Sequence, residues 1–238
     1  MPIKYSKQQV AAKFIKYLKE VFNPETFYRE SFFNQKSLTF EGTPYTEVYS
    51  ELILDNNVVD KLNNIECVCR RNSYNPPGHI SPTVNKGTNQ TEKTIAKGLL
   101  NNSFDGFGRV IGFEIPLQDT SKDVGGDIDL LSYNEQTNNA FILELKEPKS
   151  PETLLRCAIE AYTYYKRVNH AKLISDFGLP GNCVLVPAPL VFTGSQAANE
   201  YLDIANRPFL HSLLLKLNAQ VFIIDVDDIP PAYRSILK

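Results

Sequence analysis

Apolar and polar positions along the chain change period several times, and each change marks an element. Over residues 6–22, Val10, Phe14, Tyr17, Leu18 and Val21 recur at helical spacing with lysines opposite, so this stretch predicts an amphipathic helix. Ser6 suits its N-cap, and Asn23-Pro24 ends it. Residues 26–71 mix short strand-like runs with a helical pattern over 45–54 and carry many Phe and Tyr residues. Those aromatics read as packing onto the core, with substrate stacking as the alternative. Residues 72–90 are rich in Pro, Gly, Asn and Ser and read as a connection.

From residue 91 the order becomes regular. A short helix over 91–100 precedes a Gly-broken strand over 107–117. Asp127, Asp129 and Leu131 then alternate with Ile128 and Leu130, so both aspartates belong to one face of a strand. The polar cluster 134–139 predicts a turn, and residues 140–146 a second strand with Glu144 and Lys146 on one face. Paired as a hairpin, these strands gather Asp129, Glu144 and Lys146 at one end of a sheet. Ser150, Pro151 and Glu152 predict the cap and first turn of a helix running to about 168, with Leu154, Ala158, Ala161, Tyr165 and Val168 as its apolar face. An apolar strand over 183–192, a helix over 208–217 and a buried strand over 220–225 complete the pattern.

Composition narrows the classes. Hydrophobic residues are 42% and charged residues 22% of 238, as in an ordinary globular protein. The net charge of −2 means that contact with nucleic acid must come from a local basic patch. Cys67, Cys69, Cys157 and Cys183 lack zinc-site spacing and read as free thiols of a cytoplasmic protein. His79, His170 and His211 are scattered and pair with no nucleophile. No apolar run suggests a leader or a membrane span.

An Asp, a Glu and a Lys crowded on a sheet edge are costly unless something binds there. Two carboxylates, a main-chain carbonyl and waters make the ligand set that Mg²⁺ prefers, and an ammonium beside such a site can hold a water or offset developing charge. Asp129 with Glu144-Leu145-Lys146, in the setting Gly126 to Leu130, resembles the signature of the PD-(D/E)xK nuclease superfamily, RecB-like in flavour. The usual proline before the aspartate is missing. The order of elements from 91 to 225 resembles that superfamily's core.

The resemblance implies an α/β (α+β sandwich) fold. Its restriction-endonuclease-like αβββαβ core would have a central mixed sheet flanked by helices, occupying residues 91–238. Residues 1–75 would form an accessory region joined through 76–90, unless the whole chain is one compact domain. It implies a metal-dependent nuclease, with Mg²⁺ or Mn²⁺ held by Asp129, Glu144 and the Leu145 carbonyl, and Lys146 orienting the attacking water. Glu92 would complete the metal site or be a solvated glutamate in a first helical turn. Asp127 would support the metal or bind a second one, or be a solvated charge. Glu160 and Tyr164 stand where RecB-like members carry a Gln-x-x-x-Tyr pair, with Glu replacing Gln; Arg156 and Lys149 could grip a phosphate. Surface or packing roles are the alternative for Arg156 and Tyr164. The implied partner is nucleic acid, DNA ahead of RNA, with a homodimer or a partner protein to help binding. The rival reading keeps the fold but not the turnover, as a module that binds nucleic acid or protein.

Overall fold

The computed structural model describes residues 4–68, 70–75, 91–119 and 126–234. Helix α1 (Lys7–Glu20) starts as its sequence predicts: the Ser6 hydroxyl accepts from Gln9 N while the Gln9 side chain accepts from Ser6 N. That reciprocal cap satisfies two amides of the first turn. Val10 and Phe14 are buried beneath it.

The strand-like runs expected within 26–71 are not strands. Two 3₁₀ turns (Phe27–Arg29 and Ser31–Asn34) lead into α2 (Tyr45–Asp55) and α3 (Val58–Asn63), and the only strand-like pairing among the described residues there is an isolated bridge between Leu38 and Pro44. Phe and Tyr favour strands only when a sheet surface is there to pack on. Here they pack on one another instead: Phe32 lies 4.6 Å from Phe33 and 4.8 Å from Tyr49, and Phe27 lies 4.8 Å from Phe33. Asn57, in the left-handed conformation at φ 51, separates α2 from α3.

The remaining α-helices and strands among the described residues are α4 (Thr91–Leu99), β1 (Ser103–Phe104), β2 (Gly108–Pro116), β3 (Asp127–Asn134), β4 (Asn139–Leu145), α5 (Leu154–Arg167), α6 (His170–Asp176), β5 (Val184–Phe192), α7 (Gln196–Leu202), α8 (Pro208–Lys216), β6 (Phe222–Ile224) and α9 (Pro231–Arg234). The strands form one mixed sheet in sequence order, antiparallel from β1 to β4 and parallel from β4 to β6. The connection expected over 76–90 lies outside the described residues. No helix among the described residues is long and apolar enough to cross a membrane.

Register divides the core between two faces. Leu131 pairs with Ile142 and both join the larger apolar cluster, with α1, α2, α5 and α8. Leu130 pairs with Leu143 and both join the smaller one, with Ile95 and Leu99 of α4. Residues from both sides of 76–90 share the larger cluster, so α5 lies between the sheet and the N-terminal layer. It is accordingly buried well beyond one stripe, Cys157 through Tyr164 being buried without a break. The start of α5 corrects the sequence reading. Thr153, not Ser150, is the N-cap and accepts from Arg156 N, while Lys149 turns the chain at φ 65. Thr153 also donates to the Phe33 carbonyl at 2.6 Å, a tertiary anchor that outcompetes the local Ser-Pro-Glu signal.

Buried Glu47 accepts from Phe209 N at 2.7 Å and Leu210 N at 3.0 Å, tying α2 to the start of α8. Glu47→Ala strands two amides, so urea denaturation should show a loss of about 1–3 kcal/mol with an unchanged m-value. A loss near zero would mean that water replaces the carboxylate.

Candidate active site

The site forms where the β3–β4 ladder stops. Backbone pairing ends at Leu130 with Leu143. One residue further, the Asp129 Oδ2 accepts from Leu145 N at 2.9 Å, so a carboxylate takes the place of a ladder partner and is pinned against the Leu145 peptide. Glu144 and Lys146 share the parity of Ile142 and therefore face α5. Lys146 N donates to the Leu190 carbonyl at 3.0 Å, which fixes its backbone to β5.

Lys146 is buried, and its ammonium lies 2.7 Å from Glu144 Oε1, 2.9 Å from Glu160 Oε2 and 3.1 Å from Glu152 Oε2. Three carboxylates thus surround one cation, and Glu144 Oε2 is buried with no hydrogen-bond partner. The electrostatics follow from that imbalance. Burial pushes the Asp129 carboxyl up to about 7, against the attraction of Lys146 and the Leu145 amide; Glu92 and Glu160 push it the same way as burial. Burial, with Asp129 and Glu160, also raises Glu144 well above the ordinary carboxylate range. Burial works to lower Lys146, but Glu144 and Glu160 outweigh it, so the lysine keeps its proton. These shifts favour protonation of the Asp129–Glu144 pair and leave Lys146 charged.

Glu92 reaches the same corner from α4. Its Oε1 accepts from Glu147 N at 3.2 Å, and burial raises its pKa against the pull of Lys146. Asp127 is exposed at the start of β3. Lys93, on α4, forms a 3.0 Å ion pair with Glu114 and lies within the field of Asp127 and Asp129. Glu114, in β2, is half-buried at φ 44, a left-handed conformation uncommon for a non-glycine residue.

Tyr164 stands one turn after Glu160 on α5. Its hydroxyl lies 3.3 Å from the buried Tyr28 hydroxyl, and a Cβ added to Gly126 would come within 3.0 Å of it. Gly126, at φ 74, thus lets β3 begin against that tyrosine. Burial, with Glu144 and Glu160, raises the Tyr164 phenol, which stays protonated. Arg156 is paired with Glu152 at 3.0 Å. Lys149 is exposed in the turn before α5 and is not at the helix N-terminus, because α5 begins only at Leu154. Leu145 itself is buried.

Asp129, Glu144, Lys146, Glu160, Glu92 and Tyr164 come together, whereas Lys149 stays apart. Sequence reasoning missed Glu152, Lys93, Tyr28 and Arg29. The sequence places Glu152 in the first turn of a helix, though a carboxylate six positions after Lys146 and before the true cap is free to fold back. Tyr28 and Arg29 carry no signal, since only tertiary packing brings them here. His170 bonds to the Tyr165 carbonyl at 2.7 Å and His211 is exposed on α8, while His79, like Cys69, lies outside the described residues. Among the described residues, Cys67, Cys157 and Cys183 are not joined in a disulfide.

Among the described residues, no three Asp, Glu, His or Cys side chains are arranged to ligate an ion. The donor chemistry nevertheless suits a hard cation. Asp129 and Glu144 are oxygen donors flanking the Leu145 carbonyl, the unbonded Glu144 Oε2 lacks a positive partner, and the carboxylates outnumber the ammonium. No protein-family model, curated protein or solved structure matches this chain.

Proposed function

We propose that this protein is a metal-dependent nuclease of the PD-(D/E)xK type, hydrolysing phosphodiester bonds of DNA ahead of RNA. The observation that carries the reading is the end of the β3–β4 hairpin. There Asp129 is pinned beside Leu145, and Glu144 offers an unbonded buried oxygen next to the Lys146 ammonium. The succession α4-β2-β3-β4-α5-β5, with the two-residue β1 inserted before β2 and the short α6 before β5, and with β4 and β5 parallel, supports a restriction-endonuclease-like core.

Asp129, Glu144 and the Leu145 carbonyl would hold Mg²⁺ or Mn²⁺, with Asp127 close by at the start of β3. When bound, the cation supplies a Lewis acid for the scissile phosphate. Lys146 orients the attacking water and offsets charge building on the phosphoryl oxygens. Glu160 and Glu152 hold that ammonium in place, and Glu92 fixes the Glu147 amide behind it. Water adds to phosphorus as the bond to the leaving oxygen breaks, and the site's carboxylates are placed to take its proton.

Incubating the protein with Mn²⁺ and a panel of single- and double-stranded DNA and RNA should give cleavage that Glu144→Gln abolishes. Cleavage untouched by Glu144→Gln would place the activity elsewhere.

A second reading has its own observation. Lys146 is ion-paired with three carboxylates, one of them Glu160 where RecB-like nucleases carry glutamine. A lysine so held would suit a module that binds nucleic acid or protein without cutting it. Binding without cleavage across the panel would favour it.

A further inference from the structure

The N-terminal layer brings an arginine to the rim of this site. Arg29 follows Tyr28 in the 3₁₀ turn packed against α5. Its Nε donates to the Tyr28 hydroxyl at 2.9 Å, and that hydroxyl lies 3.3 Å from the Tyr164 hydroxyl. Tyr28 and Tyr164 are both buried and their rings meet edge to face at 5.9 Å, so the anchor is rigid. Tyr164 in turn abuts Gly126, where β3 begins toward Asp127 and Asp129. The Arg29 side chain is thus held through one nitrogen by buried groups while the residue itself is exposed.

Such an arrangement presents the terminal fork of a guanidinium to solvent with part of its conformational freedom already spent. A planar fork matches two oxygens of one phosphate, and prior anchoring lowers the entropy lost on binding. Arg156, the arginine that the sequence singled out, is instead paired with Glu152. Around the site itself carboxylates dominate, so a phosphate strand needs a fixed cation at the rim to approach an acidic chain at all.

We infer that Arg29, anchored by Tyr28 and Tyr164, binds the phosphodiester backbone of the nucleic-acid strand entering the Asp129–Glu144–Lys146 site. The inference rests on the nucleic-acid part of the proposed function and does not need turnover. It also gives residues 27–29 a role beyond packing, that of supplying a phosphate contact.

Fluorescence anisotropy tests it. Fluorescein-labelled single-stranded DNA and RNA, each of about twelve nucleotides, and duplex DNA are titrated with the full chain in Ca²⁺, with strand integrity checked by gel. Arg29→Ala should weaken binding about tenfold and lower the slope of log affinity against log salt by about 0.7 for a single strand, the signature of one lost phosphate contact. Tyr28→Phe removes the anchor but not the charge, so affinity should fall less and the slope should hold. Lys19→Ala, at an exposed position of α1, should change neither quantity. The arms show whether DNA or RNA is the better source of the phosphate. Unchanged affinity and slope in Arg29→Ala, or no binding by the unmodified protein to any strand, overturns the inference. Binding that depends on Arg29 without cleavage in Mn²⁺ leaves the inference standing and removes the nuclease reading.

Discussion

Lys146→Ala should lower Mn²⁺-dependent cleavage on the order of a hundredfold or more, the usual cost of removing one fixed group that stabilises developing charge. The same substitution should destabilise the metal-free protein. Glu144, Glu152 and Glu160 all lie within 3.1 Å of the lysine, and removing it leaves buried carboxylates without a counter-charge. Breaking a buried ion pair from one side typically costs about 3–5 kcal/mol at neutral pH. The deficit has a definite pH sign. Carboxyls raised in the folded variant bind protons that the unfolded chain does not, so stability relative to the unmodified protein should recover as pH falls from 7 toward the ordinary glutamate range. Urea denaturation at several pH values reads this, and Mn²⁺ should restore part of the loss by binding only the folded state. Lys146→Arg separates the two effects. It keeps the charge and most of the stability, but a planar guanidinium cannot reproduce the contacts of a compact ammonium, so cleavage should remain low. Normal cleavage by Lys146→Ala would remove the lysine from the chemistry. A fully stable Lys146→Ala protein at pH 7 would mean that the surrounding carboxylates are already neutral.

How much of this was legible in the sequence depends on how local each cause is. The hairpin was legible because Asp127 and Asp129 in one apolar run, and Glu144 and Lys146 in the next, alternate with apolar residues, and the turn between the runs carries polar residues only. The pairing of Leu130 with Leu143 and Leu131 with Ile142 puts Asp129, Glu144 and Lys146 where that alternation predicts. The start of α5 was misread because Ser150-Pro151 is a good local signal, and nothing in the sequence shows the Phe33 carbonyl that selects Thr153 instead. Residues 26–71 misled for a similar reason. Phe27, Phe32 and Phe33 satisfy each other and α1 rather than a sheet. The same long-range packing hid Tyr28 and Arg29 from any reading by motif, since Tyr28 meets Tyr164 across 136 residues of chain.

Metal affinity should rise with pH and level off above about 7. Asp129 is pushed up to about 7 by burial, with Lys146 opposing and Glu92 and Glu160 adding to the shift. A cation that uses this carboxylate must displace its proton, so below that value metal and proton compete. Titrating Mn²⁺ by calorimetry between pH 5.5 and 8, a range of about 2.5 units centred near that value, should show affinity falling on the acid side, up to about tenfold per pH unit for one displaced proton. Glu144→Ala should abolish the binding heat at every pH, because the variant loses Oε2, a buried carboxylate oxygen without a hydrogen-bond partner at this corner. It should abolish cleavage with it. Asp129→Asn is the discriminating variant. The amide oxygen can still accept from Leu145 N, so the fold should survive, but the proton linkage near 7 should vanish along with most of the affinity. The metal-free protein should show the mirror image. A carboxyl whose folded pKa exceeds its unfolded value loses stability as pH rises from about 4 to about 7, by on the order of 1 kcal/mol per unit, and Asp129→Asn should flatten that slope. A Mn²⁺ affinity independent of pH, with Asp129→Asn binding as well as the unmodified protein, would move the ligands away from Asp129, and the proposed nuclease centre with them.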